Sequence, residues 1–180
     1  MDAQAAGQPD AAAIARLEAR LRVLEDEKAI REVIADYAFF ADSGQHDEWV
    51  SNFTADGTIE LVGREATGTY PEVARWTGRG ELREFIDDPR VHMTLEGRCM
   101  HLTTGNLRSR IDGDDAVAET YYVVLVKEGD SIVVANGGFT RLQLRRVDGQ
   151  WRIQRRLRHQ IGTDVALLRA GHPRPNGSVG

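Results

Sequence analysis

The chain has 180 residues, 41% of them hydrophobic and 28% charged, which is the composition of one globular domain rather than of a disordered polymer. Its net charge of −5, from 28 acidic and 23 basic residues, argues against binding nucleic acid by broad phosphate neutralisation. No run approaches the ~18 uninterrupted apolar residues of a membrane span, and MDAQAAGQPDAAA lacks a basic segment ahead of an apolar core, so the expected location is the cytoplasm with no membrane partner.

Residues 1–10 and 166–180 are rich in Gly, Pro, Ala and polar types and are expected to be mobile ends around a domain at 11–165. From Ile14, apolar residues recur at Leu17, Leu21 and Leu24 and then at Ile30, Val33, Ile34 and Tyr37, the period of a long amphipathic helix. Its first half has a narrow stripe flanked by Arg and Glu, as helices that pack between subunits do, although the same stripe could fold onto its own domain. Asp42-Ser43-Gly44 breaks the helix. A short second helix is expected over 46–53, a turn at Ala55-Asp56-Gly57, a strand over 58–62, a loop with at most one short strand over 63–77, and a third helix over 80–88 stopped by Pro89. Beyond residue 98 the period falls to two, giving strands at about 99–111, 115–128, 131–147 and 150–160. Between them lie the hairpin signals Asp112-Gly113-Asp114-Asp115, Glu128-Gly129-Asp130 and Asp148-Gly149. Three helices followed by a meander of antiparallel strands predict an α+β domain with helices on one face of a curved sheet.

The chain has no P-loop, no GxGxxG, no HExxH and no GxSxG, which disfavours nucleotide-driven, zinc-peptidase and serine-hydrolase chemistry. Lone Cys99 excludes an intrachain disulfide and a zinc site built from cysteines, and reads best as a small buried hydrophobe. The histidines at 46, 92, 101, 159 and 172 are scattered, so distant residues would have to converge to bind a metal, and no metal or other cofactor is expected. Only Lys28 and Lys127 are lysines, an arginine bias expected of a GC-rich bacterial genome.

Two polar groups fall where the pattern expects core. Asp42 follows Ala38-Phe39-Phe40-Ala41, where partial desolvation raises a carboxylate pKa unless a partner compensates; its plainer role would be to cap a helix end. His101 shares one strand face with Thr103 and Gly105, a small polar face suited to a pocket wall. Beside Asp42, the imidazole would form an acid–base pair whose tautomer the carboxylate sets. Phe39, Trp49, Trp76, Phe85, Thr103, Tyr121, Tyr122 and Phe139 are candidates for the pocket lining, the aromatic ones also being ordinary core residues.

The run LEDEKAIREVIADYAFFADSGQHDEWVSNFTADGTIEL, the MHLTTGNLRSRI strand and the closing DGQWRIQRR strand resemble the SnoaL-like branch of the nuclear transport factor 2 superfamily over about residues 20–160. The nearest resemblance is to lyases of the scytalone dehydratase, hexachlorocyclohexane dehydrochlorinase and bile-acid 7α-dehydratase type. It implies a cone-shaped α+β barrel and cofactor-independent elimination or isomerisation on a hydrophobic cyclic or polycyclic molecule. The implied site is an Asp42–His101 dyad, Tyr37 before the aspartate, and an arginine late in the last strand, matched by Arg156 with Arg155 and Arg158 close by. The second histidine of the scytalone dehydratase type has no counterpart between Glu119 and Lys127. The superfamily also holds assembly modules such as the small subunits of ring-hydroxylating dioxygenases, an alternative from a different functional class. A homodimer or homotrimer is expected.

Overall fold

The computed structural model describes residues 10–62, 73–90, 92 and 97–162. Helix α1 (Ala11–Asp42) begins where the Asp10 carboxylate accepts from the Ala12 amide at 3.1 Å. It ends at Ser43-Gly44, where Gly44 takes a φ of 72° and reverses the chain. Only the second half of its stripe is covered: Ile30, Ile34, Tyr37, Ala38 and Ala41 are buried, while Leu17, Leu21 and Leu24 are 62%, 54% and 61% exposed.

The chain continues through α2 (His46–Ser51), β1 (Phe53–Val62), β2 (Val73–Thr77), α3 (Gly78–Asp87), β3 (Cys99–Leu102), β4 (Arg108–Asp112), β5 (Asp115–Glu128), β6 (Ser131–Val147) and β7 (Gln150–Gln160). The strands form one seven-stranded sheet in the order β2-β1-β7-β6-β5-β3, with β4 also on β5. Strands β1 and β7 run parallel and every other pair is antiparallel, so the sheet is mixed. It curves around the helices without closing, since edge strands β2 and β3 do not pair.

Three expectations are corrected. The turn at Ala55-Asp56-Gly57 is a bulge inside β1, whose pairing with β7 shifts register between Phe53 and Thr58. Gly57 is needed there because a Cβ would stand 2.8 Å from that of Phe53. The third helix starts at Gly78 directly after β2, so the helices do not all precede the sheet. The run 99–111 is two strands, both on β5, interrupted at Thr103–Leu107. The expected mobile ends at 1–10 and 166–180, apart from Asp10, and residues 63–72 of the expected loop lie outside the described residues.

Trp49, Phe53, Ile59, Leu82, Leu142 and Ile153 lead the core between the helices and the inner sheet face. Cross-strand partners share a face. The pairs Cys99 with Val126, His101 with Val124, Tyr122 with Gly138 and Leu142 with Arg156 therefore lie on the inner face. On that face Tyr122, Val124 and Val126, with Cys99 and Val133 against them, form a smaller apolar cluster of their own.

Candidate active site

Asp42 is the last residue of α1, held against β3 by its own peptide, whose carbonyl accepts from the Gly97 amide at 3.0 Å. Both oxygens of its carboxylate engage His101: Oδ2 accepts from the backbone amide at 2.8 Å and Oδ1 lies 2.5 Å from Nδ1. Two contacts to one residue fix the imidazole in position and orientation, and a carboxylate at Nδ1 places the ring proton there. The Cys99 thiol, two residues back on the same face of β3, donates to Asp42 Oδ1 at 3.2 Å. Burial alone would raise the Asp42 pKa, but the His101 and Cys99 contacts outweigh it and hold the carboxyl below its ordinary value.

A second imidazole reaches this pair. His92, in the connection after α3, stacks on His101 with ring centroids 5.5 Å apart and an interplanar angle of 20°. Its Nε2 stands 3.7 Å from Cys99 Sγ and 3.9 Å from Asp42 Oδ1. Burial, with the neighbouring His101 charge, pushes the His92 pKa down to about 4, and its buried Nδ1 has no hydrogen-bond partner among the described residues.

Arg156, in β7, is buried against two aromatic rings. Its guanidinium lies 4.6 Å above the Tyr37 ring and 6.0 Å from the Tyr122 ring, with only 3% of the residue exposed. Among the described residues no carboxylate pairs with it, and burial pushes its pKa down while the Tyr37 hydroxyl works in the other direction. Cation–ring contacts return roughly 0.5–2 kcal/mol each, less than the several kcal/mol that burying an ion costs. Alternation from Trp151 and Ile153 would have pointed Arg155 inward, but Gln154 bulges between Ile153 and Arg155 and reverses the phase. Arg155 instead pairs with Glu60 at 2.8 Å, and Arg158 sits 5.3 Å from the Tyr122 ring.

Trp49 is a core residue beside Tyr37, Phe85 stacks on Trp49, and half-buried Trp76 packs on Phe85 at 4.5 Å. Thr103 is buried, its hydroxyl donating to the Ile34 carbonyl at 3.4 Å. Three lining expectations are corrected. Phe39 is 68% exposed, turned off the buried face of α1. Tyr121 is 63% exposed, because in β5 the buried inner positions are the even-numbered ones. Phe139 pairs with Tyr121 and so shares its outer face, their rings 6.5 Å apart. Tyr122 takes the inner place. A surface groove of about 570 Å³ between the α1–α2 turn and α3 has a charged lining that includes His46, Asp47, Arg83 and Asp87. It contains none of the groups described above.

Sequence reasoning missed His92 and the contact made by Cys99. The cysteine was within reach of the same alternation that singled out His101, since residues two apart on a strand share a face. His92 follows Pro89 in a segment without periodicity and carried no such signal.

The architecture is that of the nuclear transport factor 2-like proteins with a cystatin-like fold. The profile of the SnoaL-like domain matches residues 22–157, and the chain belongs to that family. It is similar to a nuclear transport factor 2-like protein from Novosphingobium aromaticivorans, at 29% identity and a TM-score of 0.76 over 92% of this chain and 99% of that one. Two further structures from that organism resemble it in fold. One is the β subunit of a candidate aromatic-ring-hydroxylating dioxygenase, at 21% identity, TM-score 0.63, covering 77% of this chain and 90% of that one. The other is a candidate scytalone dehydratase, at 18% identity, TM-score 0.58, covering 76% and 85% respectively. A comparison with curated proteins finds no match. Among the described residues no helix is long and apolar enough to cross a membrane.

Proposed function

We propose that this protein is a lyase or isomerase that acts, without a cofactor in the chemical step, on a hydrophobic cyclic or polycyclic small molecule. The observation that carries the reading is the double engagement of His101 by Asp42, at 2.5 and 2.8 Å. With Nδ1–H directed at the carboxylate, Nε2 has the lone pair that removes a proton from carbon next to an activating carbonyl. Asp42 then stabilises the imidazolium without taking its proton. Arg156 and Tyr37 hold the oxygen that gathers charge, or the departing group, and a buried guanidinium without a carboxylate partner suits that task. Loss of a β-hydroxyl or β-halide completes an elimination, while return of the proton to another carbon completes an isomerisation. Dehydration is the favoured form, because a neutral hydroxyl needs the proton that His101 has just acquired.

Incubation with cyclic β-hydroxy ketones in deuterated water tests this. The expected result is alkene formation or deuterium at the acidic carbon with wild-type protein and its loss in His101→Ala; full activity in that variant overturns the dyad. A second reading, an assembly module, draws on the exposed apolar residues of α1 and of the outer sheet face, among them Leu17, Leu21, Ile132 and Val134. A protein stable only beside a large iron-containing partner would favour it.

A further inference from the structure

We infer that Asp42, His92, Cys99 and His101 form a binding site for one divalent ion of the zinc type. The ligand atoms of the four side chains all lie within 4.8 Å of one another. The separations include 2.5 Å from Asp42 Oδ1 to His101 Nδ1, 3.2 Å from Asp42 Oδ1 to Cys99 Sγ, and 3.7 Å from Cys99 Sγ to His92 Nε2. Tetrahedral zinc, with bonds of roughly 2.0–2.3 Å, sets its ligands about 3.3–3.7 Å apart. The cluster therefore reaches that geometry by shifts of about an ångström or less per side chain.

Three separate elements build the site. Asp42 comes from the end of α1, His92 from the connection after α3, and Cys99 with His101 from alternate positions of β3, a Cys-x-His spacing that projects both onto the inner face. Valines 124 and 126, their cross-strand partners, wall that face with apolar surface. Two imidazole nitrogens, one thiolate and one carboxylate make a donor set that suits zinc or cobalt and not magnesium or calcium. The charges also close. A dication with one thiolate and one carboxylate is neutral, as a half-buried site favours. On binding, the Cys99 thiol releases its proton to solvent and the proton on His101 Nδ1 moves to Nε2, so one proton leaves per ion.

The ion takes the His101 and Asp42 atoms that make the dyad, so the metal-bound and proton-transfer states are mutually exclusive. The binding claim stands independently of any catalytic activity.

The test is titration of metal-free protein with Co²⁺. The expected result is one equivalent bound, with visible ligand-field bands of a tetrahedral site and a near-ultraviolet thiolate-to-cobalt band, both removed by Zn²⁺. Cys99 is the one cysteine in the sequence, so the thiolate band can arise from no other residue. Cys99→Ser should lose that band, and His92→Ala should weaken binding by more than about a hundredfold, beyond the roughly 10–100-fold that loss of a supporting residue costs, with circular dichroism reporting the fold of each. Absence of the thiolate band in the wild-type protein overturns the proposal whether or not the variants fold, as does unchanged affinity in folded His92→Ala. Turnover is not the readout, so failure here leaves the dyad standing, and failure of the dyad leaves the site standing.

Discussion

Asp42 and His101 act as one unit if the proton-transfer reading holds, because the carboxylate has no task except through the imidazole it orients. His101→Ala and Asp42→Asn should each lower turnover by roughly 10²–10⁴-fold with ligand affinity nearly unchanged. The double variant should be hardly slower than the worse single one; steady-state kinetics on the four proteins shows whether the losses multiply instead. Arg156 gives a contrasting expectation. A buried cation with no carboxylate partner among the described residues costs folding energy, so Arg156→Met, which keeps the volume, should leave the melting temperature unchanged or raise it. The same change should reduce turnover by about 10²–10³-fold. A variant that unfolds at lower temperature would make Arg156 a structural residue and remove it from the chemistry.

The elements are joined at a few polar points whose loss should be measurable. Asp26, on the part of α1 that precedes the buried stripe, accepts from Arg146 at 2.7 Å and from the Trp151 indole at 3.1 Å, tying the helix to β6 and β7. Burial alone would raise its pKa, but these two contacts hold it below the ordinary 3.8. A folded pKa lower than the unfolded one contributes stability that is complete above the unfolded value and disappears as pH falls through the folded one. Asp26→Asn should therefore destabilise by about 1–3 kcal/mol near neutrality. The gap to wild type should narrow below about pH 4, which chemical denaturation at several pH values would show. A sterically different join lies between β6 and β7. There a Cβ on Gly138 would stand 2.0 Å from the His159 carbonyl oxygen. Gly138→Ala should cost about 1–3 kcal/mol or more, and an unchanged melting temperature would mean that the two strands separate easily.

For the whole molecule, the unpartnered surface is the informative feature. The α1 helix, about 48 Å long at 1.5 Å per residue, carries Leu17, Leu21 and Leu24 exposed beyond the residues that pack on the sheet. The outer face of the sheet separately exposes Met100, Leu102, Tyr121, Ile132 and Val134. Two apolar surfaces on one chain are expected to close against other copies, and light scattering at micromolar concentration should give a dimer or trimer. A monomer mass would reject the assembly. If a truncation starting at Glu25 keeps the oligomer, the sheet face alone drives it and the helix stripe has another use.

Much of this architecture is legible in the residues because hydrophobic period and turn chemistry are local. The stripe from Ile14 to Tyr37 and the glycine turns at 113, 129 and 149 set α1 and the hairpins of β5, β6 and β7 almost to the residue. Alternation also placed His101 on the inner face, and the family resemblance paired it with Asp42. What alternation cannot register is a one-residue insertion in the pairing of two strands, because the bulge depends on the neighbouring strand's register. Gln154 decides in this way that Arg156, and not Arg155, is buried, and a larger register shift between β1 and β7 carries strand through an expected turn. The outward turn of Tyr121, Phe139 and Phe39 is likewise settled by which face the helices cover. His92 is the extreme case: it has no periodic neighbours, and only the path of the chain after α3 brings its ring onto His101. Local sequence thus determined which elements form and which residues alternate, whereas convergence of a helix end, a connection and an edge strand on one point is a property of packing between distant segments.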